Sequence, residues 1–512
     1  MRPRPASPPP PRADPYLVGA LRSDLERAAY TVDGVRAAIG AMADAALHRE
    51  QPLSADLATR GRPDPVATLV RCFALGLPVA SEALDRALPS LRTDRAVAAG
   101  LVRVQSAEGD GAAEARATCD LRPYGDEAHD WWLASDLSEI ALGGPLPEDH
   151  VLGVGPASTT VAQWTPRRRV DRALDLGTGC GVQALHLVEH AGVVVATDLS
   201  ARALAFARFN SLLAGVDVDL REGDLLAPVA GERFGLIVSN PPFVITPRAP
   251  GVPAFDYRDA GLVGDAVVER LVRSVGAVLE PGGLATFIGN WEVPRGRSWR
   301  DRWAGWLDGT GLDAWVVQRD EQDPAEYAEL WSRDGGSRDG VEGYEALYAA
   351  WLADFAARGV ERIGFGVVVL QRPATERPPW VELVEVTGPV APAMGPVVDA
   401  GVSARTWLAE HDESQLLSTA WRCASDVVEE RHTRPGASDP QLIALRQGGG
   451  LGRVVRLDTA AAALVSVCDG LLAAGPALAG IAELLDEQVD AVTARVLPTL
   501  RELVADGLLL SG

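Results

Sequence analysis

The chain has 512 residues, 47% of them hydrophobic, with a formal charge of −22. That is enough apolar content to fill two to three domain cores. Every strongly basic residue is an arginine and there is no lysine, which excludes Schiff-base lysine chemistry and the ordinary P-loop nucleotide hydrolases. The diffuse negative field disfavours a nucleic-acid backbone as partner unless arginines are gathered locally, without excluding one.

In chain order, Met1 to Pro15 is rich in Pro and Arg without the apolar core of a secretory signal, so 1–15 is expected to be a flexible tail and the protein cytoplasmic. Leu17 to His48 has helical apolar spacing broken at Asp33-Gly34. Pro65, Ser81 and Thr93 are placed to open further helices. Gly100 to Val104 and Ala117 to Leu121, on either side of the Gly/Ala-rich Glu108 to Ala115, read as a two-stranded ribbon. Helices followed by a ribbon suggest a winged-helix-like region over 16–150.

From Arg172 short apolar runs alternate with helical segments. Ala173 to Leu176, Val193 to Thr197, Asp217 to Arg221, Leu236 to Val238, Leu284 to Ile288, Trp315 to Gln318 and Gly364 to Leu370 are strand candidates. Between them lie helices over Val182 to His190, Ala201 to Leu213 and Gly264 to Leu279, with a helical, aromatic-rich insert from Pro324 to Ala357. This alternation predicts an α/β domain over 151–372 with a mostly parallel sheet covered on both faces. Arg372 to Pro396 is proline-rich and reads as a linker. Helices around Ala460 to Leu472, Leu478 to Leu485 and Val489 to Ala505 then suggest a second winged-helix-like region over 373–512. No apolar run is long and uninterrupted enough to span a membrane, and the five scattered cysteines show no C-x-x-C spacing for a disulfide framework or zinc site.

Chemistry concentrates between Asp175 and Phe243. Asp175-Leu-Gly-Thr-Gly-Cys-Gly181 joins a strand to a helix, and its glycines let the backbone approach a ligand closely. The G-x-G-x-x-G spacing of a dinucleotide fold is absent. Asp198 ends the second strand, where a carboxylate accepts hydrogen bonds from ribose hydroxyls. Ser239-Asn-Pro-Pro-Phe243 must leave the sheet rigidly, because two prolines cannot continue a central strand. His186 and His190 stand four apart on one helix, but without a third ligand they indicate no metal.

Asp175 to Gly181, Asp198, Glu222-Gly-Asp-Leu225 and Ser239 to Phe243 together resemble class I S-adenosylmethionine-dependent methyltransferases of the N/D-P-P-aromatic group, the release-factor glutamine methylase-like or "methyltransferase small" enzymes. The resemblance implies a Rossmann-like core with a seven-stranded sheet. It implies S-adenosylmethionine held by Asp175, Gly177, Thr178, Gly179, Gly181, Asp198, Leu199, Asp224, Leu225 and Asn240, with Asp175 near the methionine ammonium and Asp224 at the adenine amine. It also implies a catalytic set of Asn240, Pro241, Pro242 and Phe243. The Asn240 side-chain oxygen and the Pro241 carbonyl would accept the two protons of a planar nitrogen, favouring its pyramidal form, and Phe243 would pack on the planar group. Tyr257 to Leu262 resembles the acidic loop that follows this motif, with Ala260 where glycine is usual, and Gly155 to Thr160 is a candidate for closing over the methionine end.

Asn210 is either a contact near the site or a polar residue capping its helix. The acceptor is expected to be a protein glutamine, such as one on a translation factor. An exocyclic amine of rRNA, tRNA or DNA and a non-catalytic, cofactor-sensing interaction protein stand as alternatives.

Overall fold

The computed structural model describes residues 7–105, 113–126, 129–142, 144, 146–249, 252, 255–333 and 343–512. Helix α1 (Pro156–Trp164) leads into strand β1 (Val170–Leu176). There follow α2 (Val182–Leu187), β2 (Ala191–Asp198), α3 (Ala201–Ala214), β3 (Asp219–Glu222), β4 (Phe234–Ser239), α4 (Ala266–Ser274), β5 (Leu279–Pro294), α5 (Trp299–Leu307) and β6 (Asp313–Gln322). The domain continues through α6 (Pro324–Arg333), α7 (Tyr344–Arg358), β7 (Val360–Gln371) and β8 (Val381–Glu385). Among the described residues these strands form one eight-stranded sheet in the order β8-β6-β7-β5-β4-β1-β2-β3.

Only the β5–β7 and β6–β7 pairs are antiparallel, so the sheet is mostly parallel, as predicted. Apolar residues on both faces explain this: β4 is buried along its whole length and packs between two separate hydrophobic clusters. The strand count departs from the expected seven. The eighth strand, Val381–Glu385, pairs in parallel with β6 inside the stretch read as a linker. Its prolines flank the strand and leave the Val-Glu-Leu-Val run free to donate to the ladder.

At the carboxyl edge the sheet is uneven. β4 ends at Ser239, opposite Phe287, but β5 runs on to Pro294, and β6 and β7 extend beside it. This extension, with the helical pair α6 and α7 that joins β6 to β7, rises over the edge where parallel strands deliver their ligand groups.

Before the core, helices Pro65–Leu69, Ser81–Ala87 and Arg92–Ala98 accompany a small sheet in which Glu114–Ala117 lies between Val79–Ala80 and Val102–Gln105. The predicted strand Ala117 to Leu121 is divided. Glu114–Ala117 pairs in that sheet, whereas Asp120–Gly125 turns away to form a hairpin with Asp130–Ser135. Most of the Gly/Ala-rich stretch from Glu108 lies outside the described residues. Part of the expected tail is packed: Pro11 is buried, the Arg12 N–H donates to the Ala99 carbonyl, and Asp14 caps helix Pro15–Arg27.

Beyond the core, Ala420–Cys423 lies between strands Asp469–Ala473 and Leu509–Ser511. The helix predicted over Ala460 to Leu472 stops at Ser466, and its expected last residues lie in strand Asp469–Ala473, where Gly470 takes a φ of +90°. Arg405, on helix Gly395–Glu410, ties this region to the core: its guanidinium stacks 4.0 Å from the Trp315 ring and pairs with Asp506 at 2.7 Å. Among the described residues no helix is long and apolar enough to cross a membrane.

Among the polar residues that join the first region to the core, one reaches the glycine loop itself. Asn210 on α3 is fully buried; its Oδ1 accepts the Ala134 N–H at 2.8 Å, and its Nδ2 donates to the carbonyls of Ala134 at 2.8 Å and Cys180 at 2.7 Å. It is neither a cavity residue nor a cap; it staples strand Asp130–Ser135 to the glycine loop. Asn210→Ala leaves three buried groups unsatisfied and is expected to lower unfolding free energy by about 3 kcal/mol. Ser211→Ala removes one bond within the same helix and should cost less than half as much. Urea denaturation of the two variants checks the difference.

Candidate functional site

A cavity of about 260 Å³ opens at the carboxyl edge, where β1, β2 and β4 end. Residues 177–180 form its floor. Gly177 and Gly179 have φ of +72° and +55°, and the space where a Cβ would stand is open at both. A side chain there would be strained in conformation and would intrude on whatever the loop holds. Gly181 shares the conformational reason, with a φ of +94°; a Cβ there would make only ordinary contact with Ala207, 3.4 Å from its Cα, and the residue is not part of the cavity wall.

Asp198 lines the cavity between two strand ends. One carboxylate oxygen accepts the Gly179 N–H and the other the Ser200 N–H, both at 2.8 Å. Burial raises its pKa and these backbone bonds oppose the rise. Each oxygen keeps further lone pairs for donors in the cavity. Leu199 is 70% exposed at the rim. Leu225 lies in the wall with a φ of +44°, unusual for a branched side chain. Asp224 also lines the cavity and is paired with Arg270 at 2.6 Å, a partner that sequence reading missed.

Asp175 departs from expectation. It is fully buried and does not line the cavity: one oxygen accepts the Thr178 hydroxyl at 2.6 Å and the Ala184 N–H at 2.9 Å. Thus it holds the loop from behind. Burial lifts its pKa to about 7 against those two bonds.

The end of β4 is fixed by the Ser239 hydroxyl, which donates to the Leu176 carbonyl at 2.7 Å. Asn240 and Pro242 follow in the cavity wall; Pro241 does not line it. Asn240 Nδ2 donates to Ser158 Oγ at 3.3 Å, whereas its Oδ1 is buried and has no hydrogen-bond partner among the described residues. Such an acceptor is costly unless a ligand brings a donor to it. Phe243 corrects a second expectation. Its ring packs 5.7 Å from that of Phe365 and 6.5 Å from that of Trp331, outside the cavity wall. The pull is hydrophobic, since extension and insert together offer an aromatic cluster.

The aromatic side chain that does line the cavity is Tyr257, in the loop carried by Asp256, Asp259, Ala260 and Leu262. Residues 150–153, just upstream of α1, complete the wall together with Ser158. His150 to Gly153 carried no signal in the sequence; Ser158 lay in the segment proposed to close the site. The mouth is acidic: burial raises the Asp256 pKa, and Asp149, Asp198, Glu148 and Asp259 add to the rise.

His186, noted in the sequence for its spacing from His190, serves the framework. His186 is buried 2.7 Å from the Tyr124 hydroxyl, and burial drives its pKa down to about 4. Arg167 donates to the carbonyls of Ala162 and His186. Among the described residues no group of three His, Cys, Asp or Glu side chains is arranged to hold a metal ion.

A glycine floor, a carboxylate held at the second strand end and a partnerless amide oxygen at the fourth suit a ligand carrying hydroxyl and N–H donors. The family comparisons agree with that architecture. Residues 153–297 match the methyltransferase small domain, while residues 27–117 and 400–511 match two families described as domains of unknown function, DUF7059 and DUF7782. A release factor glutamine methyltransferase of Deinococcus radiodurans is 45% identical over 126 residues, 23% of this chain and 45% of that protein. A ribosomal protein uL3 glutamine methyltransferase of Bradyrhizobium diazoefficiens is 34% identical over 197 residues, 35% of this chain and 59% of that protein. The chain spans about half the length of the curated relatives it matches. Over residues 153–297 the α/β core is thus similar to the methyltransferase small domain.

Proposed function

We propose that the protein transfers a methyl group from S-adenosylmethionine to the side-chain amide of a glutamine in a protein. The observation that carries this reading is the partnerless Asn240 Oδ1 in the cavity wall, immediately before two prolines. When bound, S-adenosylmethionine supplies an electrophilic methyl group. Asp198 is assigned the ribose hydroxyls, Gly177 to Gly179 the methionine end, and Leu199, Asp224 and Leu225 the adenine side.

Asn240 Oδ1 accepts a hydrogen bond from one N–H of the acceptor amide; the Pro241 carbonyl, to which the resemblance gives the second, belongs to a residue outside the cavity wall. Amide nitrogen is a poor nucleophile because its lone pair is conjugated. Acceptors fixed where the pyramidal nitrogen points its protons lower the cost of breaking that conjugation. Rigidity matters as much as chemistry, because the acceptors gain their advantage only if they need not reorganise.

Protein is favoured over nucleic acid by charge. Carboxylates of Glu148, Asp149 and Asp256 gather at the mouth, where a phosphate backbone meets repulsion. The relatives named for glutamine methylation of a release factor and of ribosomal protein uL3 support the same choice. A translation-linked substrate and a cytoplasmic setting belong to this proposal, as do winged-helix-like flanking regions that present the substrate.

Incubation with isotopically labelled methyl donor and separate pools of release factors, ribosomal proteins, tRNA and rRNA tests the reading; label confined to RNA overturns it. Asn240→Ala should reduce transfer by roughly a hundredfold or more, while calorimetry shows affinity for S-adenosylhomocysteine little changed.

Asp175 gives a pH-dependent test. Its folded pKa of about 7 lies above the ordinary carboxylate value, so the folded chain holds a proton that the unfolded chain has released. Its contribution is therefore full below the ordinary carboxylate range and is lost as pH rises to about 7. Wild type should lose more stability between about pH 5 and about pH 8 than Asp175→Asn, read as the shift of the urea midpoint. Parallel profiles would contradict the assignment.

A further inference from the structure

We propose that the insert between β6 and β7 is the device that sets the Asn240 segment in register, with Tyr327 as its positioning residue. This rests on the methyl-transfer reading and adds a residue outside its motif. Topology places the insert correctly, for β6 ends and β7 begins at the carboxyl edge, so α6 and α7 can lie only on the side where β4 releases the Asn-Pro-Pro-Phe segment.

Tyr327 on α6 is 2% exposed. Its hydroxyl accepts the Ile245 N–H at 3.0 Å and the Asn290 Nδ2 at 2.5 Å. Ile245 stands two residues beyond Phe243, and Asn290 belongs to the extension of β5 past the end of β4. One oxygen therefore joins three elements: the insert, the extended sheet and the segment leaving the cavity. The ring of Tyr327 is wedged among Trp331, Trp351 and Phe355, with centroids 5.6 to 6.0 Å away. It has no freedom to follow the segment if that moves.

The far end of the segment has a second restraint of the same kind. Val244 N–H donates to the Arg258 carbonyl at 3.0 Å, and Phe243 forms an isolated antiparallel bridge with Asp259. Between the Ser239 hydroxyl at the strand end and the Tyr327 hydroxyl, the two prolines leave little backbone freedom. The Asn240 oxygen is thereby held in place without touching Tyr327. An Ile245 amide deprived of its acceptor in this buried setting would pull the segment toward another partner, and a displacement of about 1 Å at a reacting group is enough to slow catalysis up to roughly a hundredfold.

The test is Tyr327→Phe, which keeps the ring and removes the oxygen. In the full chain, kcat for methylation of the protein pool that wild type labels should fall by roughly ten- to a hundredfold, with KM and the calorimetric affinity for S-adenosylhomocysteine unchanged. Hydrogen exchange followed by mass spectrometry should show the peptide containing Ile245 losing protection while the peptide containing Gly179 keeps its own. A purely structural tyrosine predicts a lower unfolding midpoint with kcat intact, and that result, or unchanged exchange at Ile245, overturns the proposal. If wild type labels no pool at all, the methyl-transfer reading fails, and the positioning role fails with it even if the exchange pattern is as described.

Discussion

The amide of Gly179 donating to the Asp198 carboxylate holds two strand ends in one relation, and the site is organised around it. The bond requires the loop to pass through left-handed backbone at Gly177 and Gly179, which glycine alone adopts without strain. It also requires a carboxylate to remain in a largely dry wall, where its charge is compensated by the amides of Gly179 and Ser200. Behind the loop, Asp175 gathers Thr178 and Ala184, and beside it Ser239 fastens β4 to Leu176. Three strand ends are thus joined by side-chain bonds that add to the last ladder pairs, Leu176 with Thr197 and Leu176 with Ser239.

Around this frame the flanking parts contribute single polar residues at long sequence distance. Asn210 brings a strand of the first region against the glycine loop, and Tyr327 brings the insert against the segment after β4. Each is buried and each satisfies backbone groups that would otherwise lack partners. This arrangement makes the loop and the proline segment stiff while leaving the cavity between them open.

Charge follows the same division. The chain carries a large negative excess, and many of its arginines are engaged in ion pairs, such as Arg202 with Asp136, Arg248 with Asp259 and Arg270 with Asp224. Four carboxylates, those of Asp198, Asp224, Asp256 and Asp259, line the cavity with one arginine, Arg270, a field that favours neutral or cationic acceptors over polyanions.

The chain by itself determined the order of strands and helices, the glycine loop, Asp198 and the exit at Asn240, because each is set by local rules: period of apolar residues, left-handed glycine and proline geometry. The eighth strand escaped because flanking prolines outweighed a short apolar run. Only the tertiary structure decided that Asp175 faces the loop and not the ligand, that Phe243 turns into an aromatic cluster, and that Asn210 and Tyr327 support the site. The physical reason is distance. The bonds of Asn210 to Ala134 span 76 positions and that of Tyr327 to Ile245 spans 82, and no local pattern announces which of many polar side chains will be buried beside a partner that far away.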